Sequence, residues 1–156
     1  MKRIIFTFIF ILANTFNLSA QKGLAVAKLL DGHIPYYIAT RVWVEGRELQ
    51  PYKLSLYRSM TVKENVEAVN AMERAVLADA TQAQSKEIGH VGNRLYYAFL
   101  CLTGGKNNQL RYIFYRNAAL RSGGNEEATL VYMEGRATMD ELQQMFKNTK
   151  TQKLDK

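Results

Sequence analysis

Two histidines, one cysteine and 14 acidic residues limit the chemistry open to this chain of 156 residues. His33, His90 and Cys101 lie far apart, without the H-x-x-x-H or C-x-x-C spacing that brings two ligands onto one metal ion. No metal site and no cofactor are expected. Cys101 sits inside the apolar run Leu95–Leu102. No neighbouring base could lower its pKa, so it reads as a small buried hydrophobe. Gly104-Gly105-Lys106 resembles a phosphate loop only superficially, because a Walker motif needs an earlier glycine and Ser or Thr after the lysine, and position 107 is Asn. It reads as a turn. Glu126 and Glu127 are neighbours on extended backbone and point to opposite faces. Glu45, Glu48, Glu134 and Asp140 fall near element ends, where turns and caps account for them. There is no G-x-S-x-G elbow. No catalytic residue is assigned.

Binding has more to rest on. Arg41, Trp43, Lys53, Tyr57, Arg111 and Tyr115 interleave aromatic and cationic side chains, and strand alternation turns them away from Val42, Val44, Leu54 and Leu56. Aromatic faces stack on sugars or bases while cations meet acidic groups. If the strands are adjacent, the six make a ligand-binding patch on one sheet face. The competing structural role is that these rings cover the sheet or bury against a second subunit.

The elements that would carry the patch follow from periodicity. Leu24 to Leu30 reads as a short helix, stopped by Asp31-Gly32 and Pro35. Alternation from Tyr37 to Glu45 and from Tyr52 to Tyr57 predicts two strands paired as a hairpin. Tyr52, Leu54 and Leu56 are expected on one face of the second strand. Val62, Val66, Val69, Met72, Val76 and Ala80 recur at helical steps, with Thr61 and Glu64 as a candidate capping box. Three further strands are expected at Arg94 to Thr103, Leu110 to Asn117 and Ala128 to Glu134, joined by glycine-rich turns. Thr138-Met139-Asp140-Glu141 is a second capping box, opening a helix with Leu142, Met145 and Phe146 on one face.

The order α-β-β-α-β-β-β-α lacks the strict alternation of a parallel sheet. The predicted fold class is α+β, a single antiparallel sheet of about five strands with helices on one face. Val66, Val69, Val76, Leu142 and Phe146 should then share one core with Val42, Val44, Leu54, Leu56 and Phe114.

The N-terminus is written in a different composition. Lys2 and Arg3 precede the apolar run Ile4–Leu12, and Leu18-Ser19-Ala20 precede Gln21, the pattern of a secretory signal peptide. The run is far short of the roughly 20 residues that span a bilayer. The expected organisation is a signal peptide over 1–20, one domain over 21–147 and a polar, frayed tail over 148–156. Cleavage would leave 136 residues with 19 basic and 14 acidic side chains, a net charge of +5. Such a balance suits acidic partners and also simple solubility.

The segments Val44–Met60, Gly92–Tyr97, Tyr112–Asn117 and Leu130–Leu142 together resemble a group of small secreted proteins of unknown function from anaerobic gut-type Gram-negative bacteria. The resemblance spans most of the chain beyond residue 20. It implies export and one α+β domain, and brings no catalytic or binding residue with it. The expected function is an exported, non-catalytic binding module in the periplasm or secreted. Its partner would be a macromolecule such as an acidic glycan or an envelope protein; export disfavours nucleic acid. The alternatives are a small envelope hydrolase, which would need two carboxylates converging in a deep pocket, and a regulatory partner of a neighbouring envelope system.

Overall fold

The computed structural model describes residues 23–151. The expected signal peptide, its cleavage point at Gln21 and residues 152–156 lie outside the described residues. Besides short π and 3-10 turns, four α-helices and six β-strands follow in order: α1 (Ala25–Lys28), β1 (Ala39–Glu45), β2 (Leu54–Lys63), α2 (Val66–Ala80), β3 (Ser85–Val91), β4 (Arg94–Leu102), β5 (Leu110–Asn117), α3 (Ala119–Ser122), β6 (Glu127–Gly135) and α4 (Met139–Thr151). The strands form one antiparallel sheet in the order β1-β2-β6-β5-β4-β3. The chain therefore leaves the β1–β2 hairpin, crosses with α2 to the far edge, and meanders back until β6 closes on β2.

The α+β class and the single antiparallel sheet agree with the sequence reading, but the sheet has six strands. The additional one is β3, whose sequence Ser-Lys-Glu-Ile-Gly-His-Val is mostly exposed and shows too little apolar alternation to announce itself. It is an edge strand, where charged side chains are the rule. The helices also occupy both faces rather than one. Met60, Val62, Leu100, Ile113 and Leu130 meet Val69, Met72 and Val76 of α2 and Val26 of α1 on the first face. On the second, Leu54, Phe99, Tyr112, Val131 and Met133 meet Leu142 of α4. The single core expected from sequence is thus two layers, and β4, β5 and β6 carry buried residues on both of their faces. This explains their continuous apolar character.

Two irregularities decide which side chains join which layer. A register shift between Leu54 and Leu56 puts Leu54 in the α4 layer and Leu56 against the α2 layer, although alternation would keep them together. A second shift, between Gly89 and His90, places Leu95 under α2 but Tyr97 and Phe99 towards α4. In β1, Val44 packs on the α4 layer while Val42 is 47% exposed, so Val42 is not a core residue.

The capping box at Thr61 and Glu64 is not formed. Pairing with Ala128 and Glu127 holds Val62 and Lys63 in β2, and Asn65 caps α2 instead, accepting the Ala68 N–H at 2.9 Å. Val66 is consequently exposed, while Val69, Met72, Val76 and Ala80 form the buried stripe. The second capping box is formed: Thr138 N–H donates to Glu141 Oε2 at 2.8 Å and Glu141 N–H to Thr138 Oγ1 at 3.2 Å. From there α4 runs on to Thr151, beyond the point where the sequence suggested fraying. α1 is too short to stand alone. It is pinned by Asp79 of α2, whose buried carboxylate accepts the Ala25 and Val26 N–H groups at 2.7 and 2.9 Å.

Candidate functional site

The six side chains read as one patch are distributed over both sides of the sheet. Register puts Arg41 and Trp43 of β1 opposite Met60 and Arg58 of β2, on the α2 side. Arg111 and Tyr115 of β5 share that side but stand three strand spacings away, about 14 Å. Tyr115 is fully buried, and burial pushes its hydroxyl pKa upward. It is a core residue, not a surface contact. Arg111 donates through Nε to the Thr103 carbonyl at 2.8 Å. Tyr57 faces the α4 layer. Lys53 occupies a left-handed turn position before β2 and pairs with Glu141 at 2.5 Å. That contact, first among the causes, holds the Glu141 carboxyl below its ordinary pKa.

Arg41 and Trp43 do belong to a local cluster. The Arg41 guanidinium lies 4.4 Å from the Tyr36 ring centre and donates to the Ile34 carbonyl, while its Nε and Nη1 are buried without an acceptor. The Arg58 guanidinium lies 4.2 Å from the Trp43 ring centre and pairs with Asp31 at 2.8 Å. Rings and cations therefore alternate along the β1 edge.

A concavity lined by aromatic side chains is on the opposite face. Between α4 and strands β3 to β5 lies an open hollow of about 270 Å³, with Tyr97, Phe99, Phe114 and Phe146 for its floor and Glu87, Arg116 and Lys147 around it. Phe114 and Phe146 stack at 4.8 Å between ring centres, and Tyr97 and Phe99 meet Phe114 edge to face at 5.7 and 6.2 Å. The arrangement presents ring edges and faces together, as aromatic quadrupoles favour. Burial raises the Tyr97 hydroxyl pKa, with the nearby Glu87 charge adding to the shift and Arg116 opposing it. Tyr97 therefore remains a neutral hydrogen-bond donor at physiological pH.

A model of a family of unknown function, DUF6108, matches residues 13–146. The chain belongs to that family. No curated protein and no solved structure matches it. The matched span takes in all six strands and ends at Phe146, so the floor of the hollow lies wholly within the DUF6108 domain.

Two carboxylates of this DUF6108 domain do converge, both on the guanidinium of Arg94. Glu73 and Glu126 both grip Arg94, at 2.7 and 3.0 Å, and Asn117 Nδ2 donates to the same Glu126 oxygen at 2.9 Å. The hydrogen bonds that Arg94 donates to Glu73 are the main cause that raises the Arg94 pKa and keeps it charged. This is a structural tie between α2, β4 and the start of β6. Among the described residues no group of three or more His, Cys, Asp and Glu side chains could hold a metal ion, and no helix is long and apolar enough to cross a membrane.

Sequence reasoning missed the hollow. Its signal was the alternation of Tyr97 with Phe99 and of Phe114 with Arg116. Reading it required the unrecognised strand β3, which supplies Glu87, and the packing of α4 on the face opposite α2.

Proposed function

We propose that the protein is an exported, non-catalytic binding module that takes an acidic sugar unit of a glycan in the hollow between α4 and β3–β5. The observation that carries this reading is the lining: four aromatic side chains form one continuous floor, with two cations and one carboxylate beside it. Apolar ring faces stack on aromatic side chains, and an acidic substituent finds Arg116 at the edge. A hydrolase would need a second carboxylate across the bound ligand, and among the described residues of the lining Glu87 is the one carboxylate. Export rests on the Lys2–Ala20 pattern and on the resemblance to secreted proteins. The mass of the protein from an envelope fraction should correspond to a chain starting at Gln21, and retention of residues 1–20 would contradict export with cleavage.

The binding test is an amide-shift titration with uronic-acid oligosaccharides against neutral oligosaccharides of equal length. Acidic ligands should move the amides of Glu87, Tyr97, Phe99, Phe114, Arg116 and Phe146, and Arg116→Ala should weaken binding by about tenfold, the loss expected for one charge-assisted contact. Absence of shifts at those amides up to about 10 mM ligand would overturn the reading, since that excludes even interactions of about 3 kcal/mol. Release of shortened products would instead favour the hydrolase.

A further inference from the structure

The two edges of the sheet are unlike. β3 carries Lys86 and Glu87 on exposed positions, and its pairing with β4 is interrupted where Tyr96 of β4 bulges opposite Gly89 and His90, features that discourage further pairing. β1 is less guarded: it has no bulge, its exposed charge Glu45 stands at its end, and Arg41 is partly buried against Tyr36. Its seven residues keep an unbroken register with β2, and Val42 and Trp43 are 47% and 61% exposed. Gly46 N–H bonds the Ser55 carbonyl, which marks the 46/55 pair as hydrogen-bonded in the β1–β2 ladder. By alternation Thr40, Val42 and Val44 also direct their backbone groups to β2. Ala39, Arg41, Trp43 and Glu45 therefore present N–H and C=O groups at the open edge.

We propose that β1 pairs antiparallel with β1 of a second copy of this chain about a two-fold axis through Val42, making a continuous sheet of the two molecules. In that register Arg41 lies opposite the second copy's Trp43, and Ala39 opposite its Glu45. With their symmetry mates these make four pairs, built from the four residues whose backbone groups point away from β2. Each exchanges two hydrogen bonds, about eight in all. A shift by one residue would set free groups against groups already committed to β2. Shifting by two would leave both ends unpaired.

The side chains agree with the backbone. On the α2 side the seam reads Tyr36, Arg41, then the second copy's Trp43 and Arg58, so rings and cations alternate across the join as they already do within each copy. Glu45 of the second copy becomes a diagonal neighbour of Arg41, opposite in charge. On the α4 side Val42 meets its own symmetry mate and Thr40 meets Val44, covering the exposed valine. Such an isologous contact closes after two copies and leaves only the guarded β3 edges outside.

Sedimentation of the exported protein at about 50 µM tests the assembly, a concentration at which a micromolar dimer is nearly complete. A dimer is expected, and Val42→Lys, which sets two ammonium groups face to face, should return it to a monomer with unchanged circular dichroism. Cross-linking tests the register. Residues facing each other in a non-hydrogen-bonded pair have Cα atoms about 4.5 Å apart, within disulfide range. Val42→Cys should therefore oxidise to a covalent dimer, whereas Val44→Cys should not, because its own symmetry mate lies four residues along the strand. Cys101 is buried and does not compete. A wild-type monomer, a dimer that survives Val42→Lys, or cross-linking at Val44→Cys as fast as at Val42→Cys would overturn the proposal.

Discussion

Adding one methyl group at Gly135 should break the join between the two halves of the sheet. Gly135 ends β6, facing Leu54 of β2 on one side and Leu110 of β5 on the other. A Cβ there would stand 2.3 Å from the Lys53 carbonyl oxygen, 2.8 Å from Leu54 Cα and 3.1 Å from Leu54 Cδ2. The first two contacts are with backbone, so no rotamer change relieves them. The Lys53 oxygen must retreat by about 0.7 Å merely to reach 3.0 Å, the closest approach that real Cβ atoms show. That oxygen also accepts the Arg136 N–H at 2.9 Å, and Lys53 is already in a left-handed conformation ahead of the β2 bulge. Overpacking costs typically 1–3 kcal/mol and a lost backbone hydrogen bond about 1 kcal/mol. Gly135→Ala should therefore destabilise by about 3 kcal/mol, a large share of the roughly 5–15 kcal/mol that holds a domain together. With a urea slope of about 2 kcal/mol per molar, the midpoint should fall by about 1.5 M. Gly124→Ala is the control: its nearest non-local atom is Ser122 Oγ at 3.6 Å and its backbone is not left-handed. It should be neutral or stabilise slightly by restricting the unfolded chain. If Gly135→Ala unfolds within about 0.3 M urea of the wild type, a change of only about 0.6 kcal/mol, the close approach of β2 to β6 is wrong.

Burial raises the Asp79 carboxyl pKa above its ordinary 3.8, outweighing the two backbone N–H groups that favour the charge. A folded-state pKa above the unfolded one contributes stability below pH 3.8 that is lost as pH rises through the raised value. Urea midpoints from pH 3 to 7 should thus shift against the wild type relative to Asp79→Asn as pH rises. Asn65→Ala, which removes the α2 cap, should cost about 1 kcal/mol by the same denaturation assay. Cys101 is only 3% exposed and should resist thiol reagents until denaturant is added; rapid native labelling would contradict its burial. Phe146 is half-buried and stacked on Phe114, so Phe146→Ala should cost about 2 kcal/mol rather than the 3–5 kcal/mol of a fully buried ring.

Long stretches of regular period were legible in the sequence. The β1–β2 hairpin, the Val69-Met72-Val76 stripe, the glycine-rich turns and the Thr138–Glu141 box all rest on local chemistry, and the structure forms each. What escaped was non-local. Val62 reads as the first helical valine until β6 supplies its strand partner at Ala128. Leu54 and Leu56 look like one face until a bulge separates them, and the same happens at Leu95 and Tyr97. β3 had a usable sign in Gly92-Asn93, the turn between it and β4, but its polar edge composition masked the strand. The six proposed site residues failed as a group because alternation assigns a face within one strand and says nothing of how faces match between strands.

The hollow and the open edge both follow from how much sheet the helices can cover. Six strands span about 24 Å between the outermost axes at the usual spacing of about 4.8 Å. One helix is about 10 Å across. The α2 face has α1 as a second cover, tied down by Asp79, and Tyr115 and Val69 beneath are fully buried. On the other face α4 is the single long cover. It seals Leu142 over Tyr112 and Met133, and leaves Tyr97, Phe114 and Arg116 reaching past its flank. Filling such a gap with apolar side chains from another element would have removed the cost of exposed rings. Retaining charged groups beside them instead keeps the hollow wettable and accessible, which is what a ligand needs and a core does not. The β1 edge lies on the far side of the sheet from the hollow, with β2 and β6 between, so the proposed self-association and the proposed ligand binding would occupy separate surfaces. Val42→Lys should therefore abolish the dimer while leaving the titration at Arg116 unchanged, and Arg116→Ala should do the reverse.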